Sequence, residues 1–209
     1  MPLRLFVLVA MATALVSEST SAQAPSTSTA AALLLTEGVV YVNDTSIAAN
    51  GAASVLPEVV VVRTTRGRAA VALKRGGVLL VDVDSAVRVL ANSDYNFNRL
   101  EVLSGSAIVA SRGSAPLVDC ESAIRLSSPG LFRFDAQAAD PKGERPCLFR
   151  VYDGAAAVPL VTVTIALRPG QSIMCNRRCG DMIPTDDFSP SDIDEFDHWA
   201  RRVQERFRH

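Results

Sequence analysis

The apolar positions of this chain fall into one spacing that recurs. Leu100-Glu101-Val102-Leu103-Ser104-Gly105-Ser106-Ala107-Ile108-Val109 sets apolar residues five and three before a central Gly and two and four after it. The same spacing surrounds Gly154 (Phe149, Val151, Ala156, Val158) and Gly38 (Leu33, Leu35, Val40, Val42). Strand side chains alternate between faces, so this pattern buries one face on both sides of the Gly. The Gly marks a bend, a bulge or a tight turn. A strand–Gly–strand unit that repeats predicts a repetitive all-β architecture.

Further strands fill the chain between the copies. Val59–Arg63, Arg68–Leu73, Val78–Val83, Val87–Leu90, Leu117–Cys120, Ala123–Leu126, Leu131–Asp135, Leu160–Leu167 and Gln171–Cys175 all read as short strands. In Arg68–Leu73 the candidate buried face is Ala69, Val71 and Leu73. Asn43-Asp44, Asn50-Gly51, Gly76-Gly77, Pro129-Gly130 and Pro169-Gly170 supply turns between them. The expected fold is an antiparallel β-sandwich or a short β-solenoid-like domain.

The C-terminus changes period. Ile193, Phe196, Ala200, Val203 and Phe207 recur at helical spacing and form one apolar stripe. Ser189-Pro190-Ser191-Asp192 reads as the helix start, with Ser189 as N-cap and Asp192 reaching back to it. Asp192, Asp194, Glu195 and Asp197 crowd the first turns, and Arg201, Arg202, Arg206 and Arg208 the last, an order that suits the helix dipole. The stripe predicts an amphipathic helix that packs on the β-domain or docks on a partner.

The N-terminus reads as a secretory signal peptide. A short basic start precedes the apolar run Leu5–Val16, and Thr20-Ser21-Ala22 fits a cleavage site after Ala22. That run of twelve residues is well short of the roughly 20 needed to span a bilayer. The expected organisation is a signal peptide over 1–22, a flexible mature N-terminus over 23–32, a β-domain over 33–180, and an acidic linker with the C-terminal helix over 181–209. Localisation is then periplasmic or secreted, with no membrane span in the mature chain.

Charge narrows the partners. Lys and Arg total 21 against 22 Asp and Glu, so nucleic-acid binding gains no support. Cys120, Cys147, Cys175 and Cys179 are an even set in a chain expected to be exported, which favours two disulfides. Three pairings are open. Cys120–Cys147 with Cys175–Cys179 is the favoured one, and the first bond would contribute about 3 kcal/mol by restricting the unfolded chain.

Catalytic groups are not apparent. Gly-x-Ser-x-Gly, His-Glu-x-x-His and P-loop patterns are absent from the sequence. The acidic stretch around Asp192 lacks calcium-loop spacing, so no metal and no cofactor are expected. Asp82 and Asp84 share a strand face and would be the pair to test for glycoside hydrolysis. Tyr95 and Phe97, in the polar loop Asn92–Asn98, and Trp199 on the helix are the candidate partner contacts. The competing reading makes each an anchor folded back onto the core.

Glu37-Gly38-Val39-Val40-Tyr41-Val42, Arg66-Gly67-Arg68-Ala69-Ala70-Val71-Ala72-Leu73 and Arg75-Gly76-Gly77-Val78-Leu79-Leu80-Val81, with the copies ending in Ala107-Ile108-Val109 and Ala156-Ala157-Val158, resemble the FecR-like domain. The resemblance runs from Thr36 to about Gln171, and Arg75-Gly76-Gly77 stands where the family usually has Asp-Gly-Ser. Phe196-Asp197-His198-Trp199-x-Arg201-Arg202 is similar to the tail of exported FecR-like proteins. The resemblance implies a non-catalytic all-β module outside the cytoplasm. Its best-known relatives relay a signal from an outer-membrane siderophore transporter to a cytoplasmic sigma factor. No anti-sigma segment or transmembrane helix is read here, so only fold and compartment carry over. The expected function is non-enzymatic binding of a protein or polysaccharide at the cell envelope. The alternative is a structural envelope protein that self-associates through its repeats or its helix.

Overall fold

The computed structural model describes residues 31–48, 54–73, 77–91, 98–113, 116–137, 141, 145–160, 162–175 and 185–207. Tyr95, Phe97, Cys179, the leader and the Asn50-Gly51 turn lie outside them.

The strands form two antiparallel layers that share one long strand. Sheet A begins at Ser54–Leu56 (β4) and Ala31–Glu37 (β1). It continues through Arg68–Leu73 (β6), Gly77–Val81 (β7) and the second half of Asn98–Ser111 (β9). Gly130–Ala136 (β12), Cys147–Asp153 (β13), Gln171–Cys175 (β16) and Thr185–Asp187 (β17) complete it. Sheet B runs from Thr45–Ile47 (β3) through Val40–Val42 (β2), Val59–Thr64 (β5) and Ala86–Ala91 (β8) to the first half of β9. Leu117–Asp119 (β10), Ala123–Leu126 (β11), Ala156–Pro159 (β14) and Thr164–Leu167 (β15) follow. Among these pairings β9–β10 alone is parallel. The sheets do not close into a barrel.

The repeated Gly is the corner between the layers. Gly38 lies between β1 and β2, Gly105 within β9, and Gly154 between β13 and β14, and at each the chain passes from one sheet to the other. All three have left-handed backbones, with φ of 68°, 71° and 88°. Each corner also presses on a facing turn. A Cβ at Gly105 would stand 2.2 Å from Ser85 Oγ, and one at Gly154 would stand 2.5 Å from the Pro129 carbonyl. Only Gly meets both demands. Ser85 ties its corner further, its hydroxyl accepting from Ser106 N–H at 2.9 Å and donating to the Val83 carbonyl at 2.8 Å.

One apolar core fills the space between the layers. Ala69, Val71 and Leu73 face it as the alternation predicts. Phe132, Phe134 and Phe149 are fully buried there, the last two stacked at 4.8 Å. Each such side chain contributes about 1.5–3 kcal/mol by leaving water. The Cys120–Cys147 disulfide forms as expected and joins the segment after β10 to the end of β13 remote from the Gly154 corner. Cys175 is buried opposite Cys147 in the β13–β16 pair.

Several elements differ from the sequence reading: β3 and β4 are strands it lacked, and β1 begins at Ala31, inside the stretch read as a flexible N-terminus. Thr185–Asp187, within the segment read as linker, is an edge strand of sheet A. Leu160–Leu167 is not one strand. Leu160 N–H donates to the Val163 carbonyl at 2.7 Å, so the chain turns there and β15 starts at Thr164.

Candidate interaction surfaces

Sheet A is covered on its outer side. Strand alternation that sends Ala69, Val71, Leu79, Val81, Ala107 and Val109 to the core sends Ala70, Leu80 and Ile108 to the other face. These three are neighbours across β6, β7 and β9. Phe196, Trp199, Ala200 and Val203 of the helix Glu195–Arg206 (α1) pack on them as a second apolar cluster. Such a sheet is buried on both faces, which explains its unbroken apolar runs.

The helix begins later than the sequence pattern suggests. Its N-cap is Asp194, and the capping box is Asp194 with Asp197: Asp197 N–H donates to Asp194 Oδ1 at 3.0 Å, and Asp194 N–H donates to Asp197 Oδ2 at 3.1 Å. Ser189, Pro190 and Asp192 instead form a turn, with Asp192 N–H donating to the Ser189 carbonyl at 2.8 Å. The reason lies in sheet A. Arg133, next to Ile108 on the outer face, places Nη1 2.7 Å from Asp194 Oδ2 and 2.7 Å from Asp197 Oδ2. The guanidinium selects which acidic pair caps the helix.

This cluster is polar, with Arg133 and Asp197 buried and Asp194 at its exposed rim. Arg133 Nε donates to Asp135 at 2.9 Å, Arg150 Nη1 donates to Asp135 at 2.7 Å, and the Tyr152 hydroxyl donates to Asp197 at 3.2 Å. Burial disfavours the Arg133 charge, but the carboxylates of Asp135 and Asp197 outweigh it and raise its pKa. Burial raises the Asp197 pKa, helped by the neighbouring charge of Asp194. Burial also works to raise that of Asp194, but hydrogen bonds from Asp197 N–H and Arg133 prevail and lower it. Burial, then the Asp197 charge, pushes the Tyr152 phenol up to about 12.

The predicted contact residues divide. Trp199 is 3% exposed, its ring 6.0 Å from that of Phe196 and 5.7 Å from the Arg68 guanidinium. It anchors the helix and offers no surface to a partner, because the stripe it belongs to is the one sheet A covers. Asp82 accepts from Arg68 Nε at 2.8 Å, and Asp84 sits in a left-handed turn at φ 47°. Among the described residues no group of three His, Cys, Asp or Glu is placed to hold a metal. A groove of about 400 Å³ runs beside the helix between Leu131, Tyr152, Pro190, Arg201 and Gln204.

Sheet B is different, because no element covers its outer face among the described residues. Val61, Arg88, Glu101 and Asp119 form one row across it, and Leu90, Arg99, Leu117 and Arg125 the next. Arg88 pairs with Glu101 at 2.5 Å, and Arg99 pairs with Asp119. Val59, beside Leu90, is 55% exposed. Beyond them a cleft of about 250 Å³ is lined by Glu101, Leu103, Asp119, Glu121 and Arg145. Sequence reasoning missed Arg133, Asp194 and Asp197 as a unit. The Phe132-Arg133-Phe134 alternation placed Arg133 opposite the core, but nothing local says that a helix covers that face.

Comparison with known proteins adds the fold. No known family profile matches the chain. No curated protein matches it either. A crystal structure at 2.50 Å titled as a "putative anti-sigma factor" from Parabacteroides distasonis is similar at TM-score 0.51 and 18% identity, over 63% of this chain and 61% of that one. A second, so titled and from the same organism, gives TM-score 0.49 at 16% identity over 62% and 60%. The chain thus spans about three fifths of the structures it matches.

Proposed function

We propose that this chain is an exported, non-enzymatic module of the FecR-like kind that binds a protein at the cell envelope through the outer face of sheet B. One contrast carries the reading: α1 covers the outer face of sheet A, whereas no described element covers that of sheet B. Its ordered rows of paired charges with exposed apolar residues between them suit a protein surface, where complementary charge sets register and steers encounter. The disulfide and the apolar N-terminal run support export. The fold seen in the Parabacteroides structure supports the FecR-like assignment.

The test uses the chain isolated from the periplasm of an expressing host, immobilised and exposed to envelope extract. Arg88→Glu with Arg99→Glu inverts two charges of the face without touching the core. A specific partner retained by the wild type and lost at least tenfold by the double variant supports the proposal. Equal retention by both removes sheet B as the site. Binding on a glycan array, sensitive to the same variant, would replace the protein partner with a polysaccharide.

A further inference from the structure

Three of the four cysteines meet in the main core. Cys120, Cys147 and Cys175 are each fully buried and belong to one cluster. Cys147 is bonded to Cys120, with Cα atoms 5.8 Å apart. It is also the ladder partner of Cys175 in the β13–β16 pair. Residues directly opposite in an antiparallel pair have Cα atoms about 4.5–5.5 Å apart and side chains on one face. That separation lies inside the roughly 4.4–6.8 Å over which a disulfide closes. Cys147 therefore stands where its backbone permits a bond to either of two cysteines. They belong to different layers: Cys120 follows β10 of sheet B, and Cys175 ends β16 of sheet A.

Chain entropy does not choose between the two bonds. The stabilisation by loop closure grows only with the logarithm of loop length. Cys120 and Cys175 lie almost equally far from Cys147 along the chain, on opposite sides of it. The choice falls to packing and to which sulfur carries the thiol. The bonds differ in what they hold. Cys120–Cys147 ties the turn after β10 to sheet A. In that turn Cys120 N–H donates to the Ser122 carbonyl at 3.1 Å, and Glu121 takes a left-handed backbone at φ 59°. Cys147–Cys175 would instead stitch two neighbouring strands of sheet A and leave the turn without its covalent tie to that sheet.

We infer that Cys147 is the shared sulfur of an internal disulfide exchange, and that partial reduction by a dithiol moves its bond from Cys120 to Cys175. The step starts from Cys175 as a thiolate. Its Sγ attacks Cys147 Sγ, the Cys120–Cys147 bond breaks, and Cys120 leaves as a thiolate that takes up the proton Cys175 gave away. One disulfide forms as one breaks, so the exchange itself consumes neither oxidant nor reductant. Apolar burial disfavours thiolates and makes the step slow. Cys147 opens β13 and Cys175 closes β16, so fraying at one end of the sheet gives the attack its opening. A bond from Cys175 to Cys179, the pairing favoured by sequence, would hold the switch off. Exchange loosens β10, which carries Leu117 and Asp119 of the sheet B face, and that consequence alone rests on the function proposed above.

Non-reducing peptide mapping of the full exported chain, titrated with dithiothreitol and then alkylated, tests this. In the wild type, near-equal loop entropies predict Cys147–Cys175 in at least roughly a tenth of the molecules at partial reduction, with Cys120 alkylated. Cys179→Ser needs no reductant: in a glutathione redox buffer it should show both Cys120–Cys147 and Cys147–Cys175, with unchanged circular dichroism. Cys120 as the sole partner of Cys147 throughout the wild-type titration overturns the inference. So does the same result in a folded Cys179→Ser. If Cys179→Ser loses the fold, the wild-type titration decides by itself. Neither result bears on the sheet B proposal, because Arg88→Glu with Arg99→Glu leaves every cysteine in place.

Discussion

Arg133 Nη1 lies 2.7 Å from Asp197 Oδ2, with Arg133 8% exposed and Asp197 4% exposed. Strand β12 and helix α1 are joined there by a charge pair that neither element could bury alone. Hydrogen bonds from Tyr152 and the Asp194 backbone complete the carboxylate's shell. Breaking one side of such a pair leaves the other charge buried. Arg133→Ala is expected to cost about 3–5 kcal/mol. Urea denaturation checks it, and a cost below about 1 kcal/mol, the range of surface pairs, would show that the cluster is solvated.

The same cluster sets an acid response with two signs. The raised pKa of Asp197 means that the native state holds its proton longer, so its contribution is present below the ordinary carboxylate pKa of about 4 and is lost as pH rises through the folded value. The lowered pKa of Asp194 contributes above about 4 and is lost as pH falls through its folded value. Asp194→Asn should therefore weaken the acid-side loss, and Asp197→Asn should steepen it. Urea midpoints between pH 7 and pH 3 give the comparison. Identical profiles for the two variants would show that the pair is not coupled to folding.

Tyr152 adds an alkaline limb. Its pKa, raised to about 12, gives stability that is full below the unfolded value of about 10 and lost as pH rises through the folded value. Tyr152→Phe should flatten the thermal midpoint between pH 10 and 12 relative to wild type.

The corners predict a graded Gly series. Gly105→Ala must adopt φ 71° and meet Ser85 Oγ at 2.2 Å. The left-handed backbone alone costs about 1–2 kcal/mol. Gly77→Ala, with its nearest atom at 3.3 Å and no left-handed backbone, should cost less. The reverse order in thermal melts would refute the corner account.

Removing the Cys120–Cys147 bond by Cys120→Ser with Cys147→Ser frees a 27-residue separation. The expected loss is about 3–4 kcal/mol by the loop-entropy model. Non-reducing peptide mapping should recover Cys120 linked to Cys147.

Much of this molecule can be read from local pattern. The spacing around Gly38, Gly105 and Gly154 announced strands that bend, and the spans Arg68–Leu73, Ala123–Leu126 and Gln171–Cys175 have the bounds observed. The apolar stripe of Phe196, Ala200 and Val203 marked the buried face of α1. Those features depend on side-chain period and on the φ of single residues, which neighbours in sequence control.

What the tertiary structure decided is where each face goes. Local pattern marks Ser189 as the N-cap, yet the helix is capped by Asp194, and a guanidinium sixty-odd residues away binds both Asp194 and Asp197. By sequence Trp199 reads as an anchor of the helix or, if exposed, as a partner contact, and its burial against sheet A decides for the anchor. The sequence alone determined bent strands, an amphipathic helix and cysteines able to pair. Only packing determined that sheet A takes the helix while no described element covers the outer face of sheet B. Contacts across layers are between residues far apart in the chain, and no local period encodes them.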